Sequence, residues 1–383
     1  MDMTQRLYEQ DSFCREFTAT VMSCEPQGEN YAVTLDRTAF FPEGGGQAAD
    51  GGTLGSIEVL DVQIVGDEIV HTLAAPLAVG QTVTGALDWD TRFLRMQKHT
   101  GEHIVCGIIH RLYGYENVGF HLGSEDVTLD LNGELTREQL DEVEELANRA
   151  VTENRAVTVV YPTAQELAAM DYRSKKAIDG AVRVVTIEGL DRCACCAPHV
   201  ATTGQVGLIK LLDFIRYKGG VRIHMQCGLD ALRDYQMRYA QTAAIAAALS
   251  VKQYAAIEGV ERLLDQRDTL TRELAATRKE MLSLRVNALL PDSGRALFIE
   301  KVMDGENLRD LALAASAKVG GLCAAFAGDD ESGYTYAAAG GDLTTFAAAL
   351  KQRLNARGGG SAQLIQGRVF TTAAAIEAFW QTI

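Results

Sequence analysis

Two pairs of metal-binding side chains, far apart in the sequence, constrain this chain more than any other feature. His99 and His103 are four residues apart in a segment with helical periodicity, so both imidazoles face the same side of one helical turn. Cys195 and His199 form a second pair with the same spacing in a downstream loop. Three histidines and one thiolate make a ligand set that suits tetrahedral Zn²⁺. If the chain binds zinc in this way, its fold must bring the two distant segments together.

The sequence leaves open which cysteine supplies the thiolate. Cys193, Cys195 and Cys196 are all close to His199 along the chain, and spacing alone allows any of them to bind the metal. A redox pair of Cys193 and Cys196 is also conceivable. That pair would leave His199 without a role, and no thioredoxin-like βαβ pattern surrounds it.

Composition limits the class of protein. A chain of 383 residues exceeds one ordinary hydrophobic core, so several domains are expected. The eight cysteines are partly clustered and do not suggest a disulfide framework, and neither a signal peptide nor an apolar run of membrane-spanning length is visible. We therefore expect a cytoplasmic protein. The formal net charge of −15 argues against a general nucleic-acid coat but not against a local basic groove.

The pattern of strands, helices and turns divides the chain into four segments of an α+β multidomain protein. Short strands between glycine-rich turns, among them residues 57–60 and 62–65, predict a small β-barrel or sandwich at the start. The predicted segments are a glycine-rich β-barrel domain (1–88), an α+β zinc domain (89–235), a helical hairpin or coiled coil (236–290) and a C-terminal α/β domain (291–383).

Two helices of the second segment have clear end signals. The first is predicted to begin after an N-cap at Asp90 and to stop after Tyr113, where Gly114 follows. The second follows Thr136, with Gln139 in the capping-box position. The first of these helices would carry both histidines of the upstream pair.

The third segment contains an apolar seam. From Val260 to Ala288 apolar residues recur at alternating steps of three and four, with Arg267 and Thr277 at the two polar positions. Such a seam is typical of a helical hairpin or a coiled coil, and a homodimer through it is possible. One long amphipathic helix would give the same pattern. Pro291 ends the periodic segment in either case.

A glycine-rich motif links these features to a known family. Thr38-Ala-Phe-Phe-Pro-Glu-Gly-Gly-Gly-Gln47 alone is most often a tight turn. Here it is followed by His-x3-His and then by Val182-Arg-Val-Val-Thr-Ile187 before Cys-x3-His. In this order the motifs resemble the alanyl-tRNA editing proteins and, equally, the editing domain of alanyl-tRNA synthetase, over roughly residues 30 to 230. The C-terminal part resembles the DHH-associated domain of the longer members.

The resemblance implies a ligand set and a substrate pocket. His99, His103, Cys195 and His199 match the zinc ligands of the family, while Thr38 and Gln47 match its pocket positions in the glycine-rich motif. The sequence differs from the family in one loop, where the usual Cys-Gly-Gly-Thr-His is replaced by Cys-Cys-Ala-Pro-His. The ligand spacing is kept, but the changed loop can alter which amino acid is accepted.

The implied reaction is hydrolysis of the ester that joins serine or glycine to alanine-specific tRNA. An alanine-binding site excludes glycine and serine only weakly, so a second, hydrolytic site is needed. No aminoacylation module precedes the implied editing region, which begins almost at Met1, so the resemblance implies action in trans on tRNA charged elsewhere. A hydrogen bond from the Thr38 hydroxyl to the seryl side chain would favour serine over alanine by about 1–3 kcal/mol.

Two other functions are compatible with parts of the sequence. His99-Thr-Gly-Glu102-His103 is a literal H-x-x-E-H motif, in which Glu102 would be the general base of an inverted zinc peptidase. That interpretation leaves Cys195 and His199 without a role. A non-enzymatic RNA-binding or dimerisation protein with a closed structural zinc site is the other alternative.

The C-terminal domain offers a basic segment for tRNA. Between Lys351 and Arg368 the chain carries four cations and no acidic residue. A glycine-rich turn among these cations would bring backbone N–H groups and side chains against phosphates. The predicted tRNA-binding residues are Lys351, Arg353, Arg357, Gly358, Gly359 and Gly360.

Overall fold

The computed structural model describes residues 4–123, 126–174 and 181–383. It forms two compact units, Met1–Ala243 and Ala244–Ile383. Both contain helices and β-sheets, so the predicted mixed α+β, multidomain class is confirmed. The finer division into four segments stays a prediction. Among the described residues, no helix is both long and apolar enough to cross a membrane.

Six strands near the N-terminus close into a barrel, in the order β2-β3-β7-β6-β5-β8. Buried and exposed residues alternate along strands such as β7 and β8, as expected for a barrel whose interior is filled with side chains. Residues 57–65 form one strand with an irregularity after Val59, where the sequence suggested two strands. The elements of this region are β1 (Gln5–Arg6), α1 (Leu7–Gln10), β2 (Glu16–Gln27), β3 (Asn30–Leu35), β4 (Arg37–Thr38), β5 (Gly52–Leu54), β6 (Ile57–Val65), β7 (Glu68–Leu73) and β8 (Thr82–Leu87).

A 25-residue helix, α2 (Trp89–Tyr113), lies at the centre of the first unit. The predicted N-cap at Asp90 is wrong: the side chain of Asp88 accepts a hydrogen bond from the Thr91 amide and caps the helix two residues earlier. Gly114 ends α2 in a left-handed conformation, as expected. Residues 96–109 of α2 are all buried, so polar side chains in this stretch need partners inside the protein.

A four-stranded sheet in the order β14-β15-β10-β9 packs against helices α2 and α3 around one large core. The predicted capping box of Thr136 and Gln139 is present at the start of α3. The segment between residues 203 and 208 forms a short 3₁₀ turn and a loop that lead into β14. The elements are β9 (Asn117–Leu122), β10 (Val127–Leu131), α3 (Arg137–Thr152), β14 (Ile209–Tyr217) and β15 (Gly220–Cys227).

A small three-stranded antiparallel sheet presents the second pair of predicted ligands. Strand β12 (Val184–Ile187) pairs with β11 (Val157–Val160) on one side and with β13 (Asp191–Ala194) on the other. Cys195 follows β13 directly, and its amide donates a hydrogen bond to the carbonyl of Arg183. A short helix, α4 (Ala164–Ala168), lies between β11 and the β12–β13 hairpin in the chain.

Helix α5 (Gly228–Ala248) runs across the boundary between the two units, and the second unit then begins with one long helix. The seam predicted from Val260 to Ala288 lies almost entirely in α6 (Ala256–Asn287). A five-stranded sheet in the order β16-β17-β18-β20-β19 follows. Its elements are β16 (Arg295–Glu300), α7 (Gly305–Val319), β17 (Leu322–Asp329), β18 (Gly333–Ala339), α8 (Leu343–Leu354), β19 (Arg357–Gly360), β20 (Leu364–Val369) and α9 (Ala373–Gln381).

The glycine-rich turn predicted at residues 357–360 is an edge strand, β19, and not a turn. The glycines permit close approach to β20: a Cβ atom added at Gly358 would lie 2.3 Å from the Gln366 carbonyl oxygen. All four residues of β19 are exposed. The sequence prediction failed because glycine is usually a turn residue and weakens a strand.

Candidate metal centre

The structure brings the two distant pairs of predicted ligands together. Helix α2 places the rings of His99 and His103 with centroids 5.5 Å apart, and the ring of His199 lies 4.9 Å from the first and 4.6 Å from the second. The Cys195 sulfur is 3.5 Å from Nε2 of His99 and 3.4 Å from Nε2 of His199. One donor atom from each of the four residues lies within 4.8 Å of the other three.

Each histidine of this cluster is oriented by a hydrogen bond at its other ring nitrogen. Nδ1 of His99 is 3.0 Å from Oε1 of Gln47, and Nδ1 of His199 is 3.0 Å from the hydroxyl of Thr100. Nδ1 of His103 is 2.9 Å from Oδ2 of Asp191. These contacts leave Nε2 of each ring for the centre of the cluster, as in metal sites whose histidines are held by outer acceptors.

At two of the four residues, burial and the neighbouring charges favour the protonation state that binds a metal. Burial lowers the pKa of His199 to about 3, so its imidazole is neutral at pH 7. Burial opposes ionisation of Cys195, but His99, His199 and a hydrogen bond with His103 hold the pKa of this thiol well below its usual value. A thiolate and a neutral imidazole are the forms that coordinate metals.

His103 behaves differently, since burial acts to lower its pKa while hydrogen bonds with Asp191 and Cys195 raise it well above the usual value. A proton on His103 supplies positive charge beside the Cys195 thiolate. Metal binding at Nε2 must therefore displace a proton, which makes the affinity depend on pH. The donor set, three imidazoles and one thiolate within 4.8 Å of one another, fits Zn²⁺.

Of the three neighbouring cysteines, only Cys195 lies with the three histidines. Cys193 is buried and belongs to a second potential group with His103 and Asp191. Cys196 is exposed and faces the glycine-rich turn, where a Cβ added to Gly45 would lie 3.6 Å from its sulfur.

The glycine-rich motif forms the predicted tight turn and holds Gln47 at the cluster. Gly45 and Gly46 have positive φ angles of 61° and 82°, and hydrogen bonds of 3.0 and 3.1 Å between Gly44 and Gln47 close the turn. A Cβ at Gly46 would lie 2.7 Å from the Phe120 carbonyl oxygen, so only glycine allows this approach. The Gln47 amide nitrogen is buried and has no hydrogen-bond partner among the residues that the structure describes.

Thr38, the other predicted pocket residue, makes its described contacts inside the barrel. Its hydroxyl is 2.9 Å from Nε2 of His71 and accepts a hydrogen bond from the Phe40 amide at 3.1 Å. His71 Nδ1 lies 3.2 Å from the Val33 carbonyl oxygen, an atom that only accepts, so Nδ1 carries the proton and Nε2 accepts from Thr38. Burial lowers the pKa of His71 to about 4.

Several residues around the cluster were missed by sequence reasoning. Asp191, Thr100 and Arg173 have no motif of their own, and they meet the histidines only through the tertiary fold. Arg183 was part of a motif used for recognition, but its contacts were not anticipated. It donates hydrogen bonds to the carbonyls of Cys195 and Ala197 at 2.8 and 2.9 Å and so supports the loop with the altered sequence.

Glu102, the general base of the alternative peptidase interpretation, is buried beside the cluster. Its carboxylate accepts a hydrogen bond from Asn117, and Oε2 lies 3.7 Å from Nε2 of His103. The same histidine is oriented by Asp191, and Cys195 is part of the cluster. The four-ligand arrangement thus contains residues that the peptidase motif leaves without a role.

The predicted tRNA-binding residues lie in the second unit, on α8 and β19. Lys351 and Arg353 are in the last turn of α8, and Arg357 begins the exposed edge strand. The guanidinium of Arg353 is 2.6 Å from the Thr382 hydroxyl and lies 5.2 Å from the centre of the Phe379 ring. Arg353 is therefore partly engaged within the unit, whereas Gly358, Gly359 and Gly360 expose their backbone.

Comparison with known proteins identifies the relatives of this chain. Residues 182–224, which include the Cys195/His199 loop, match the family described as the second additional domain of threonyl and alanyl tRNA synthetases. Residues 14–91, which form most of the barrel, match the class II (A) tRNA synthetases. The alanine–tRNA ligase of Thermococcus kodakarensis is 35% identical over 330 residues, 81% of this chain and 35% of the ligase.

The alanine–tRNA ligase of Pyrobaculum neutrophilum is 31% identical over 387 residues, 95% of this chain and 42% of the ligase. The alanyl-tRNA editing protein Aarsd1 of Mus musculus is 33% identical over 223 residues, 54% of each chain. The chain is thus similar in sequence to alanine–tRNA ligases and to an alanyl-tRNA editing protein. It spans about a third to a half of the length of these three relatives. Along this chain, His99 and His103 lie between the two matched regions, and Cys195 and His199 lie inside the second of them.

Proposed function

We propose that this protein is a zinc-dependent hydrolase that removes serine or glycine from mischarged alanine tRNA, acting in trans. The observation that carries this proposal is the convergence of three Nε2 atoms and the Cys195 thiol beside Gln47. The similarity to relatives named alanyl-tRNA editing proteins supports mischarged alanine tRNA as the substrate. These relatives are separate proteins from the ligases, which supports action in trans.

Zinc held by His99, His103, Cys195 and His199 would polarise or orient the substrate ester. The other contributions come from the chain itself. The buried amide of Gln47, fixed by His99 at its oxygen, has an N–H₂ group available to donate to a substrate oxygen. Burial of the cluster limits access of bulk water and so strengthens each of these polar contacts.

The glycine-rich turn and the Cys195–His199 loop form the sides of the proposed amino-acid pocket. A Cβ added to Gly45 would lie 3.6 Å from the Cys196 sulfur, so the altered loop packs closely against the turn and a change at Cys196 would change the shape of the proposed pocket. Thr38 is proposed to favour serine, either by contact with the substrate or by its support of the barrel through His71. Selectivity for serine over alanine requires a polar group in the pocket that pairs with the seryl hydroxyl. This group stays unpaired when alanine is bound, because alanine lacks the hydroxyl.

The test is ester loss from purified seryl-, glycyl- and alanyl-tRNA, with and without a chelator. We expect release of serine or glycine that stops on zinc removal and returns on its addition, while alanyl-tRNA stays intact. Cleavage of a peptide library without loss of the tRNA ester would support the inverted peptidase instead. Zinc binding without either reaction would support the RNA-binding protein with a structural zinc.

For tRNA, we propose that the second unit supplies part of the binding surface. The cationic side chains of Lys351 and Arg357 flank the exposed backbone of β19, where N–H groups and cations can meet phosphates. The experiment is a salt titration of tRNA affinity, described below with its control.

We also propose that α6 pairs two copies of the chain. Its apolar seam is uncovered within the second unit: Leu263, Leu270, Leu274, Met281 and Leu284 are each 43–65% exposed. The helix carries opposite charges in its two halves, with four acidic and two basic residues in 256–271 and four basic and two acidic residues in 272–287. Antiparallel pairing places each acidic half against a basic half, whereas parallel pairing would bring like charges together.

Dimerisation is tested by sedimentation of the protein and its Leu270→Glu variant. We expect a dimer that becomes a monomer in the variant, because a carboxylate at the seam cannot be buried without a partner. Leu313→Glu, at a similarly exposed leucine on α7, is the matched control and should stay dimeric. A monomeric parent protein, or a dimeric Leu270→Glu, contradicts the pairing.

A further inference from the structure

The three outer acceptors of the cluster differ in charge. Gln47 and Thr100 are neutral, but Asp191 is a carboxylate whose side chain is only 2% exposed. An unpaired carboxylate at such depth would be strongly disfavoured. The outer acceptor of His103 is therefore charged, whereas those of His99 and His199 are neutral.

Arg173 supplies the compensating charge. Its Nε is 2.7 Å from Oδ1 of Asp191 and its NH2 group is 2.9 Å from Oδ2, a two-point contact that fixes the plane of the carboxylate. Arg173 and its carboxylate partner are both buried, with 10% and 2% of their side chains exposed. Asp191 therefore contacts His103 through Oδ2, while Arg173 contacts both carboxylate oxygens of Asp191.

The backbone of Arg173 is attached to the strand that leads to Cys195. Its amide donates to the Arg192 carbonyl at 2.8 Å, and its carbonyl accepts from the Ala194 amide at 2.9 Å. The side chain of Arg173 is thus connected through Asp191 to the ligand His103 on α2. Its main chain is connected to the end of β13, and the ligand Cys195 follows that strand directly. Only a tertiary arrangement makes this connection, since Arg173 is 18 residues from Asp191 and Asp191 is 88 residues from His103.

The same geometry excludes a second metal at this place. His103, Asp191 and Cys193 are close enough together to be considered as a cation site. The guanidinium of Arg173, however, already occupies both carboxylate oxygens with positive charge. A divalent cation would have to displace it against charge repulsion.

We propose that Arg173 and Asp191 form a positioning pair that sets the ring of His103 for zinc binding. The inference rests on the proposed function only in taking zinc as the metal. An imidazole can turn about its Cβ–Cγ bond, and the hydrogen bond to Asp191 selects the orientation in which Nδ1–H faces the carboxylate and Nε2 faces the cluster. Arg173 keeps the carboxylate in place through its two-point contact.

The pair is tested by zinc affinity, measured by competition with a chelator in the full-length protein. We expect Asp191→Ala and Arg173→Met each to weaken zinc binding by about 10–100-fold, the usual effect of removing an outer partner of a ligating histidine. Arg173→Lys, which keeps the charge but loses the two-point contact, should recover part of this loss. The matched control is Arg192→Met, because Arg192 is exposed and, among the residues that the structure describes, its guanidinium contacts the Asp171 carbonyl at 3.5 Å and no metal ligand.

A spectroscopic measurement separates orientation from general stability. The visible absorption of the cobalt-substituted protein reports ligand geometry, and it should change in Asp191→Asn at temperatures where circular dichroism shows that the variant is folded. Zinc affinity within twofold of the parent in both Asp191→Asn and Arg173→Lys, or equal loss in the Arg192→Met control, would overturn the proposal. If a variant with Ala or Met does not fold, these conservative variants decide the question.

The two proposals can fail separately. If the protein binds zinc and the variants weaken binding, but no tRNA ester is cleaved, the positioning pair stands and the hydrolase does not. If tRNA is deacylated and the variants bind zinc normally, the hydrolase stands and the positioning pair does not.

Discussion

Replacing Thr38 by valine should destabilise the first unit by about 2–6 kcal/mol. Valine nearly preserves the volume, so no cavity forms, but two buried groups lose their partner: Nε2 of His71, at 2.9 Å, and the amide of Phe40, at 3.1 Å. Each buried polar group left unsatisfied costs about 1–3 kcal/mol. Thr38→Ser keeps the hydroxyl and loses one methyl group, which costs about 1 kcal/mol, and it is the control for the hydrogen bonds.

The assay is urea unfolding followed by the fluorescence of Trp89, in a Trp380→Phe background that removes the only other tryptophan. Trp89 packs against Phe13 and Phe93 in the first unit and so reports on that unit. A Thr38→Val protein within about 0.5 kcal/mol of the parent would refute the role of these hydrogen bonds, since that is the scatter of ordinary surface changes.

The same variant tests the sequence-based expectation that Thr38 favours serine. Under conditions where Thr38→Val is folded, the ratio of seryl to alanyl ester hydrolysis is compared with that of the parent. A loss of about 1–3 kcal/mol in selectivity supports contact between the hydroxyl and the substrate. An unchanged ratio with lowered stability assigns Thr38 to the support of the barrel alone.

Three further changes have defined outcomes. Cys195→Ala should lose zinc and deacylation together, measured by metal analysis and ester release, whereas Cys196→Ala should keep its zinc; the reverse result would reassign the thiolate. The pKa of His71 is about 4 in the folded protein and about 6.5 in the unfolded chain. Because the folded state therefore binds fewer protons, the free energy of unfolding should fall by about 3 kcal/mol from pH 7 to pH 4. A His71→Gln protein should show a shallower pH dependence of urea unfolding, and an identical slope would exclude this histidine as the cause. Lys351→Gln combined with Arg357→Gln should weaken tRNA binding and reduce its salt slope by about one to two, roughly one per lost phosphate contact; Lys301→Gln is the control, and unchanged affinity would exclude this surface.

The sequence was most informative where local chemistry decides the structure. The capping box of Thr136 and the left-handed end of α2 at Gly114 follow from single residues and were predicted correctly. The predicted N-cap at Asp90 was wrong because aspartate at Asp88 is an equally good cap, and only the geometry of the entering chain places the helix start there. The strand at residues 357–360 was missed because its partner, β20, and not its own composition, makes it a strand.

The site was predictable in its ligands but not in its surroundings. The spacing of His99 and His103 on one helix is a local property that can be read directly from the sequence. Asp191 and Arg173 contribute through contacts between distant segments, and nothing in their immediate sequence distinguishes them from other charged residues. The outer partners of a metal site are therefore the part that requires the folded structure.

The wide separation of the two ligand pairs has a consequence for how the protein folds. His99 and Cys195 are 96 residues apart in sequence, so the cluster can close only after α2, the barrel and the β12–β13 hairpin have come together. Contacts of such long range form late and slow the folding of a domain. Zinc would then bind the assembled unit far better than any nascent or unfolded form. By linkage, each tenfold rise in free zinc above the dissociation constant would add about 1.4 kcal/mol to the stability of this unit. The concentration of free zinc would thereby set the fraction of chains in which this unit is folded.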